Sequence, residues 1–576
     1  MKDSGRNAAL AVTGIAAIGL LGFAIHNRTN ADQSVGLQAA SARHCDPANG
    51  GITLPPGFCA TVFADKIGHA RHIVVSPAGV VYINTWSGEY YAAEPPRKTP
   101  FLTALKDTDG DGHADVVRTF GDGVGQGSAG GTGIRLFKGY LYAEVNDRIV
   151  RYGLQGGSIA PSRAPETIVS GLPTTGEHPM HPFIIKPDGT MLVNVGSATN
   201  VCEVKKGDPL SGGSKPCAEL ATRAGLWRFD ANRVGQKFSA AERYVTGLRN
   251  SGGQTLDDAG NVIAVQHGRD MLQAWKAIFP GKQGAYLPAE EMVRIEKGKD
   301  YGWPQCYYDG FQKKLVLAPE YGGDGKKQDQ CASKADPIAF YPSHWAPNDV
   351  MIGNSPIFPS AYRGGAFIAF HGSWNRSPAE EDGYNIVFQP MSGGRPNGQY
   401  IVFADGFAGP VKDPAAALYR PSGLALGPDG ALYITDDIRG RIWRITYQGP
   451  TDARLEAAVK PPAVRPKTEV SAAPARTSPQ LLLGQRIFNG EEADGTCAGC
   501  HGMRGQGSAM GPNLTSGQWQ WGDGSTASIR ATITRGVPAP RHFRGAMPPM
   551  GGTQLTLEQL DAVVAYVASI SKDRKH

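Results

Sequence analysis

The sequence predicts a mainly β protein, a six-bladed β-propeller followed by a small all-α domain. Three observations carry that prediction. A turn ending in glycine, followed by an apolar strand, recurs six times between Ser41 and about Gln448. A Pro- and Ala-rich stretch poor in large apolar residues, "GPTDARLEAAVKPPAVRPKTEVSAAPARTSP" from Gly449 to Pro479, then reads as an extended linker. Beyond it, residues 480–576 hold a Cys-x-x-Cys-His motif and an amphipathic helical pattern that starts at Thr556.

The repeat units are "SPAGVVYINT" from Ser76, "FKGYLYAEV" from Phe137, "KPDGTMLVNV" from Lys186, "DDAGNVIAVQ" from Asp257, "YRGGAFIAFH" from Tyr362 and "GPDGALYITD" from Gly427. Their turn residues supply the positive φ a hairpin needs, and their strands are rich in β-branched and aromatic residues. Six such hairpins over residues 41–448 suggest six blades, with a pair of β-sandwiches as the bland alternative. The 76 glycines and 42 prolines are scattered rather than periodic, which fits many turns and short strands. The net charge of +6 is small for 576 residues and its cations do not cluster, so there is no nucleic-acid footprint.

Ahead of the repeats, Lys2 and Arg6 precede an uncharged run from Ala8 to Ile25. As a helix this run spans about 27 Å, close to a bilayer core of about 30 Å. The leading cations keep the N-terminus in the cytoplasm and direct the remainder of the chain to export. Residues 1–40 therefore read as a cleaved signal or an uncleaved anchor, with the anchor favoured. The body is expected in the periplasm, associated with the inner membrane. Six of the eight cysteines fall in close pairs, Cys45 with Cys59, Cys202 with Cys217 and Cys306 with Cys331. Three local disulfides are the economical reading in an oxidising compartment.

The repeat also serves as a ruler. Eleven residues before the turn glycine stand His178, Arg249 and Asn354, and ten before it stand His69, Asn250 and Arg420. In a propeller the innermost strand comes first in each blade, so equivalent positions converge on the central channel. His181 lies eight before Gly189 and points to the other face. It reads as a packing or pocket-wall residue, not a metal partner of His178.

After the linker, Cys497, Cys500 and His501 form the attachment signature of a c-type haem. The spacing lets both thiols reach the porphyrin vinyl groups while the histidine reaches the iron. A second axial ligand is needed, and Met503, Met510, Met547 and Met550 are the candidates. The region resembles class I cytochromes c, in which the ligand methionine opens a Met-Pro loop before a closing helix. That likeness implies Met547, with Thr556 and Gln559 capping the helix. A haem of this kind carries one electron, so its fusion to the propeller asks for a two-electron oxidation there through a second cofactor.

The stretches "EHPMHPFIIKPDG", "GLRNSGG", "VQHGRD", "PAEEMVRIEKGKDYGWPQC", "HGSWNRS" and "YRPSGLALGPDGALYITDD" resemble the pyrroloquinoline quinone (PQQ)-dependent soluble glucose dehydrogenase and sorbosone dehydrogenase family. The resemblance covers roughly Asp46 to Tyr447. It implies a sugar or aldehyde substrate, PQQ and calcium as cofactors, and His178 as the general base that takes the substrate proton while hydride passes to the quinone. It also implies that Arg249 and Asn250 polarise the quinone and hold its carboxylate, and that calcium sits on the backbone carbonyls of Gly268 and Arg269. Arg420 matches a cofactor-binding arginine, and Ser422 replaces a second one found in some members. His371, Trp374 and Arg376 sit where the family places a further cationic contact, and all three stay open. The insertion "MLQAWKAIFPGKQGAYL" departs from the family, so the substrate does not carry over.

Electrons from such a reaction would pass to haem c and on to the quinone pool or another cytochrome. A calcium-dependent propeller hydrolase such as a lactonase would leave the haem unexplained, and a non-catalytic binding propeller would use it only as a relay. An eight-bladed quinoprotein would bring adjacent cysteines, which are missing here. In "DTDGDGHAD", Asp107, Asp109, Asp111 and Asp115 resemble the start of a calcium loop without its distal glutamate, and the alternative is a solvated hairpin. The G-x-G-x-x-G match at Gly125–Gly130 neither follows a clear strand nor opens a helix, and reads as a loop.

Overall fold

Six sheets succeed one another round a ring, antiparallel except for the short outer strand Gln236–Lys237 of the second, and each begins with a strand on the central channel. The computed structural model describes residues 45–86, 100–121, 131–154, 158–208, 210–449, 478–490, 492–493, 497–502, 504–507, 511–537, 540, 547–553 and 555–571. The expected N-terminal signal or anchor, the glycine loop at 125–130, most of the linker, and Met503 and Met510 lie outside the described residues. Among those described, no helix is long and apolar enough to cross a membrane.

The six innermost strands are His69–Val75, Ile134–Phe137, Phe183–Ile185, Gly253–Leu256, Pro347–Gly353 and Pro421–Leu426. Each pairs with the next strand of its hairpin: Val81–Trp86, Tyr140–Val145, Thr190–Val195, Val262–Gln266, Gly365–Phe370 and Leu432–Asp436. The turns between them need a left-handed residue, supplied for example by Gly189 (φ 91°) and Gly260 (φ 77°). Both faces of the second strands pack against neighbouring blades, which is why they read as nearly unbroken apolar runs.

The ring closes through the chain's own start. Strand Phe58–Ala64 pairs with Ile442–Tyr447 as the outermost strand of the sixth blade, so the start and the end of the propeller share one sheet. Phe58 locks that strand in place, edge-on to Phe358, Tyr362 and Phe403 at 4.9, 5.1 and 4.9 Å. All three expected disulfides form: Cys45–Cys59, Cys202–Cys217 and Cys306–Cys331. The first anchors the closing strand. Removing it with Cys45→Ser and Cys59→Ser is expected to lower stability by about 2–3 kcal/mol, read from the urea midpoint. An unchanged midpoint would show that strand pairing alone secures the closure.

At the C-terminus, helices α1 (Pro479–Phe488), α2 (Cys497–His501), α3 (Thr526–Arg535) and α4 (Leu557–Ile570) surround a core of Ile487, Phe488, Ile529, Val563 and Val567. Ser478, Ser525 and Thr556 cap α1, α3 and α4, and Thr556 forms the expected capping box with Gln559. α1 and α4 cross at Gly484, where a Cβ would stand 2.0 Å from the Ala562 carbonyl oxygen. No larger residue fits that crossing.

Candidate active site

In an antiparallel hairpin the start of the first strand and the end of the second lie at the same edge. The six blades therefore present both sets of ends on one face of the ring, where a cavity of about 650 Å³ opens. His178 reaches it from the loop before Phe183–Ile185, and Arg249 and Asn250 from the loop before Gly253–Leu256. Arg420 comes from just before Pro421–Leu426, and Gly268 and Asp270 from beyond Val262–Gln266. His371, Trp374 and Asn375 come after Gly365–Phe370. Register shifts in three innermost strands, at Ala70–Ile73, Pro347–Asp349 and Pro421–Leu424, fall at this same edge. Bulges of this kind turn side chains out of the regular alternation, and Arg71 and Asn348 gain the cavity wall at two of them.

His178 has one defined tautomer. Its Nδ1 lies 3.0 Å from the Ser197 carbonyl and donates to it, which leaves Nε2 as the basic nitrogen. Burial, and then the charge of Arg249, hold its pKa well below the usual 6.5, so the ring is neutral at pH 7. Gly196 makes room for this arrangement, since a Cβ there would lie 2.5 Å from the His178 Cβ and 3.1 Å from Asn250 Oδ1.

Arg249 is engaged on every side. It donates to the Asn200 carbonyl (3.1 Å), the Gly268 carbonyl (2.9 Å) and the Asp270 carboxylate (2.6 Å). Despite burial, that arginine keeps the Asp270 carboxyl well below its ordinary range, helped by His344 and Asn375. Beside them, Glu290 accepts from the Gly268 and Ala346 amides at 2.9 and 3.1 Å, and burial pushes its carboxyl up to about 8. Burial likewise raises Glu177, next to the base, to about 8. Arg269 turns its side chain away to Glu320 (2.5 Å), so only its backbone remains for the expected calcium.

Arg420 differs. Its guanidinium is buried and donates to the His371 and Gly372 carbonyls at 2.9 and 2.6 Å. Among the described residues it makes no direct ion pair, and the nearest named carboxylate acting on it, Asp437, is already engaged by His371 and Arg71. His371 is bound to Asp437 at 2.7 Å, and burial together with Arg420 lowers it to about 4. Asp437 also pairs with Arg71 at 3.1 Å. Two further wall residues, Asn348 and Asn375, each keep a buried polar atom, Nδ2 and Oδ1, without a hydrogen-bond partner.

The structure separates the residues that the sequence leaves together. His371 and Trp374 line the cavity. Arg376 does not; it stands 3.6 Å from Asp382 and over the Tyr286 ring, which corrects the expectation of a quinone contact. Asn354 is exposed beyond the far end of Pro347–Gly353, and Asn348 takes the place the ruler assigned to it. A short helical turn, Ser360–Tyr362, lengthens that hairpin and makes a fixed count fall short. His181 is fully buried, 3.2 Å from Glu144, as a packing residue. Asp107, Asp109 and Asp111 bring carboxylate oxygens within 4.8 Å of one another, but Asp115 is spent on the Thr108 amide and hydroxyl.

In the helical segment, Cys497 and Cys500 are free of disulfides and His501 Nδ1 is bound to the Pro512 carbonyl at 2.9 Å. That bond directs the ring and leaves Nε2 for iron, the outer hydrogen bond a haem histidine needs. Met547 packs against the helical core and its backbone pairs with Val537. Gln506 and several residues of 511–520 line the same cavity as His178 and Arg249. The helical segment is thus its roof.

Comparison with known proteins places the two parts. The TrAA12-like family model matches residues 126–448, more than half of the chain. The chain belongs to the TrAA12-like family. A second model, cytochrome c oxidase cbb3-type subunit III, matches residues 480–567 of this TrAA12-like chain. A PQQ-dependent pyranose dehydrogenase of Coprinopsis cinerea is 27% identical over 241 residues, covering 34% of this chain and 30% of that protein. The cbb3-type cytochrome c oxidase subunit CcoP of an Azospirillum species is 37% identical over 97 residues, covering 16% of this chain and 32% of that protein. The chain thus spans about a third of the length of these curated relatives.

Solved structures agree on the fold. The PQQ domain of the Coprinopsis cinerea pyranose dehydrogenase aligns with a TM-score of 0.54 at 19% identity, over 69% of this chain and 97% of its own. A family AA12 enzyme of Trichoderma reesei gives 0.55 at 17%, with the same two coverages.

Proposed function

We propose that this TrAA12-like chain is a quinohaemoprotein sugar dehydrogenase, with PQQ and calcium in the propeller cavity and haem c at Cys497, Cys500 and His501. The observation that carries the reading is the pairing of a neutral histidine with a buried arginine, without a direct ion pair among the described residues, in one cavity roofed by the segment that follows the haem motif. The residues fit the group. PQQ is an anionic, planar quinone, and the wall offers it Arg420, two unpartnered amide atoms and a volume in the usual range of cofactor sites. When bound, the quinone supplies a hydride acceptor and the haem a one-electron relay.

The chain's own residues do the rest. His178 Nε2 takes the proton of the substrate hydroxyl, and the Ser197 carbonyl holds the ring in that tautomer and favours the imidazolium that results. Arg420 would hold a carboxylate of the cofactor, and Asn250, Asn348 and Asn375 would hydrogen-bond its edge. Asp270, kept ionised by Arg249 beside the Gly268–Arg269 backbone, would supply the negative charge for a calcium ion at those carbonyls, with Glu290 as a further oxygen ligand once it loses its proton. Arg249 fixes Asp270 and the Gly268 carbonyl, a positioning role rather than direct contact. Met547 is the residue that would supply the second protein ligand to the haem iron. The substrate is an aldose or related hydroxyl or aldehyde compound. Electrons leave to a membrane quinone pool or another cytochrome, in a periplasmic protein held at the inner membrane by its N-terminal segment.

Stopped-flow reduction of the haem tests this. Protein carrying haem c is loaded with PQQ and Ca²⁺ and mixed with a panel of sugars, alcohols and aldehydes. Growth of the reduced haem bands with at least one sugar is expected, dependent on both additions. Haem that stays oxidised with the whole panel would sink the reading.

A further inference from the structure

Among the described residues, two hydrogen bonds join the propeller to the haem segment, and both start beside cavity-lining residues. Ser377 Oγ, two residues after Asn375, donates to the Asn489 carbonyl at the end of α1 (2.8 Å). Gln506 Nε2, five residues after His501, donates to the carboxylate of Asp413, next to Pro414 and Ala415 in the wall. Both propeller residues are buried where these bonds form. Each partner of the second bond is also fixed by its own turn. Asp413 spends its other oxygen on the Ala415 and Ala416 amides (2.9 and 3.2 Å), and Gln506 Oε1 accepts from the Arg504 amide (2.9 Å). The amide and the carboxylate therefore meet preorganised, one donor facing one acceptor.

Behind the contact lies a short route. Pro512 lines the cavity and its carbonyl holds His501 Nδ1, so the iron-ligand histidine is one hydrogen bond from the cavity wall.

We propose that the Asp413–Gln506 and Ser377–Asn489 bonds are a docking latch that holds the haem motif against the cavity as its roof, and that electron exit depends on the latched position. The electron-exit half rests on the dehydrogenase reading; the latch itself does not. Each sugar oxidised releases two electrons and two protons, and haem iron accepts one electron at a time. The docked geometry is thus used twice per turnover. Transfer between two groups falls steeply with their separation, so a roof that lifts slows exit without touching the chemistry at His178. Asp413, Gln506 and Ser377 are positioning residues in this scheme.

The test uses the full chain with haem c attached. Gln506→Glu keeps an oxygen for the Arg504 amide but sets a second acceptor against Asp413. Adding Asp413→Asn to that variant restores one donor and one acceptor with the polarity reversed, and its amide oxygen still serves the turn at Ala415. Losing a hydrogen bond to a charged group shifts an equilibrium by roughly ten- to a hundredfold. Hydrogen–deuterium exchange of a peptide spanning 511–520 is therefore expected to quicken by roughly that factor in Gln506→Glu and to return toward wild type in the double variant, with α1 and α4 unchanged. With PQQ and Ca²⁺ bound, the rate of haem reduction relative to reduction of a soluble dye is expected to fall about tenfold or more, and to recover in the double variant. Identical exchange in all three proteins overturns the latch. Faster exchange with an unchanged ratio overturns its part in electron exit. A protein that oxidises no sugar with either acceptor, yet shows the expected exchange pattern, supports the latch and rejects the dehydrogenase reading.

Discussion

His178→Ala is expected to slow sugar-driven haem reduction by about 10²- to 10⁴-fold while leaving PQQ affinity near that of the wild type. A positioned general base contributes rates of that size, and the alanine variant has no substitute for it in the cavity. The other cavity histidines hang from other blades and are oriented there by their own partners: His267 by the Pro347 carbonyl, His344 by the Leu287 carbonyl and His371 by Asp437. Because a proton acceptor works in the transition state, kcat should carry the loss and KM should move little. The pH dependence has a definite sign. Only neutral His178 accepts a proton, and burial plus Arg249 lower its pKa, so activity persists below pH 6.5, where a free imidazole would already be mostly charged. The acid limb of kcat/KM should therefore have its midpoint below 6.5. Equal haem reduction by the variant and the wild type would reject His178 as the base. An acid limb above 6.5 would show that burial and Arg249 do not govern the ring.

The propeller is legible because its signals are local. A turn glycine such as Gly189 and the apolar strand after it are neighbours in sequence, and six of them in a row leave little choice of architecture. The disulfides are legible for the same reason, each closing a short loop. The ruler works where the hairpin between the first two strands is short, as for His178, Arg249 and Arg420. It fails at Asn354, because the turn Ser360–Tyr362 inserts residues that composition does not reveal.

The site is legible only in part, because a side chain's duty depends on partners far away in sequence. Arg249 and Arg420 look alike in the repeat, yet Asp270 pairs directly with one, while the other makes no direct ion pair among the described residues and feels only the nearby charge of Asp437. Arg376 lies in a motif of the family but finds Asp382. Arg71 and Asn348 escape a sequence reading since each reaches the wall through a bulge, which breaks the alternation a strand pattern relies on. Asp270 stands in plain view at the end of "QHGRD", and its role emerges only from the arginine that meets it.

That contrast between the two arginines yields the second large effect. Arg420→Met is expected to weaken PQQ binding by about 2–5 kcal/mol, roughly 30- to several-thousand-fold, measured by titration calorimetry with Ca²⁺ present. Its guanidinium is buried without a direct ion pair among the described residues, so part of its desolvation cost is left for an anionic ligand to offset. Stability of the quinone-free protein should change much less. Removing the lone charge relieves that cost, while the His371 and Gly372 carbonyls lose their donors at about 1–3 kcal/mol. Arg420→Lys keeps the charge without the fork that serves both carbonyls, and should fall between the two. Arg249→Met should behave the opposite way. It strands Asp270 as a buried, unpaired carboxylate and should cost about 3–5 kcal/mol of stability before any ligand is added. Quinone affinity that Arg420→Met leaves intact would show that this cation serves the fold, and the anionic cofactor would then need another counter-charge in the wall.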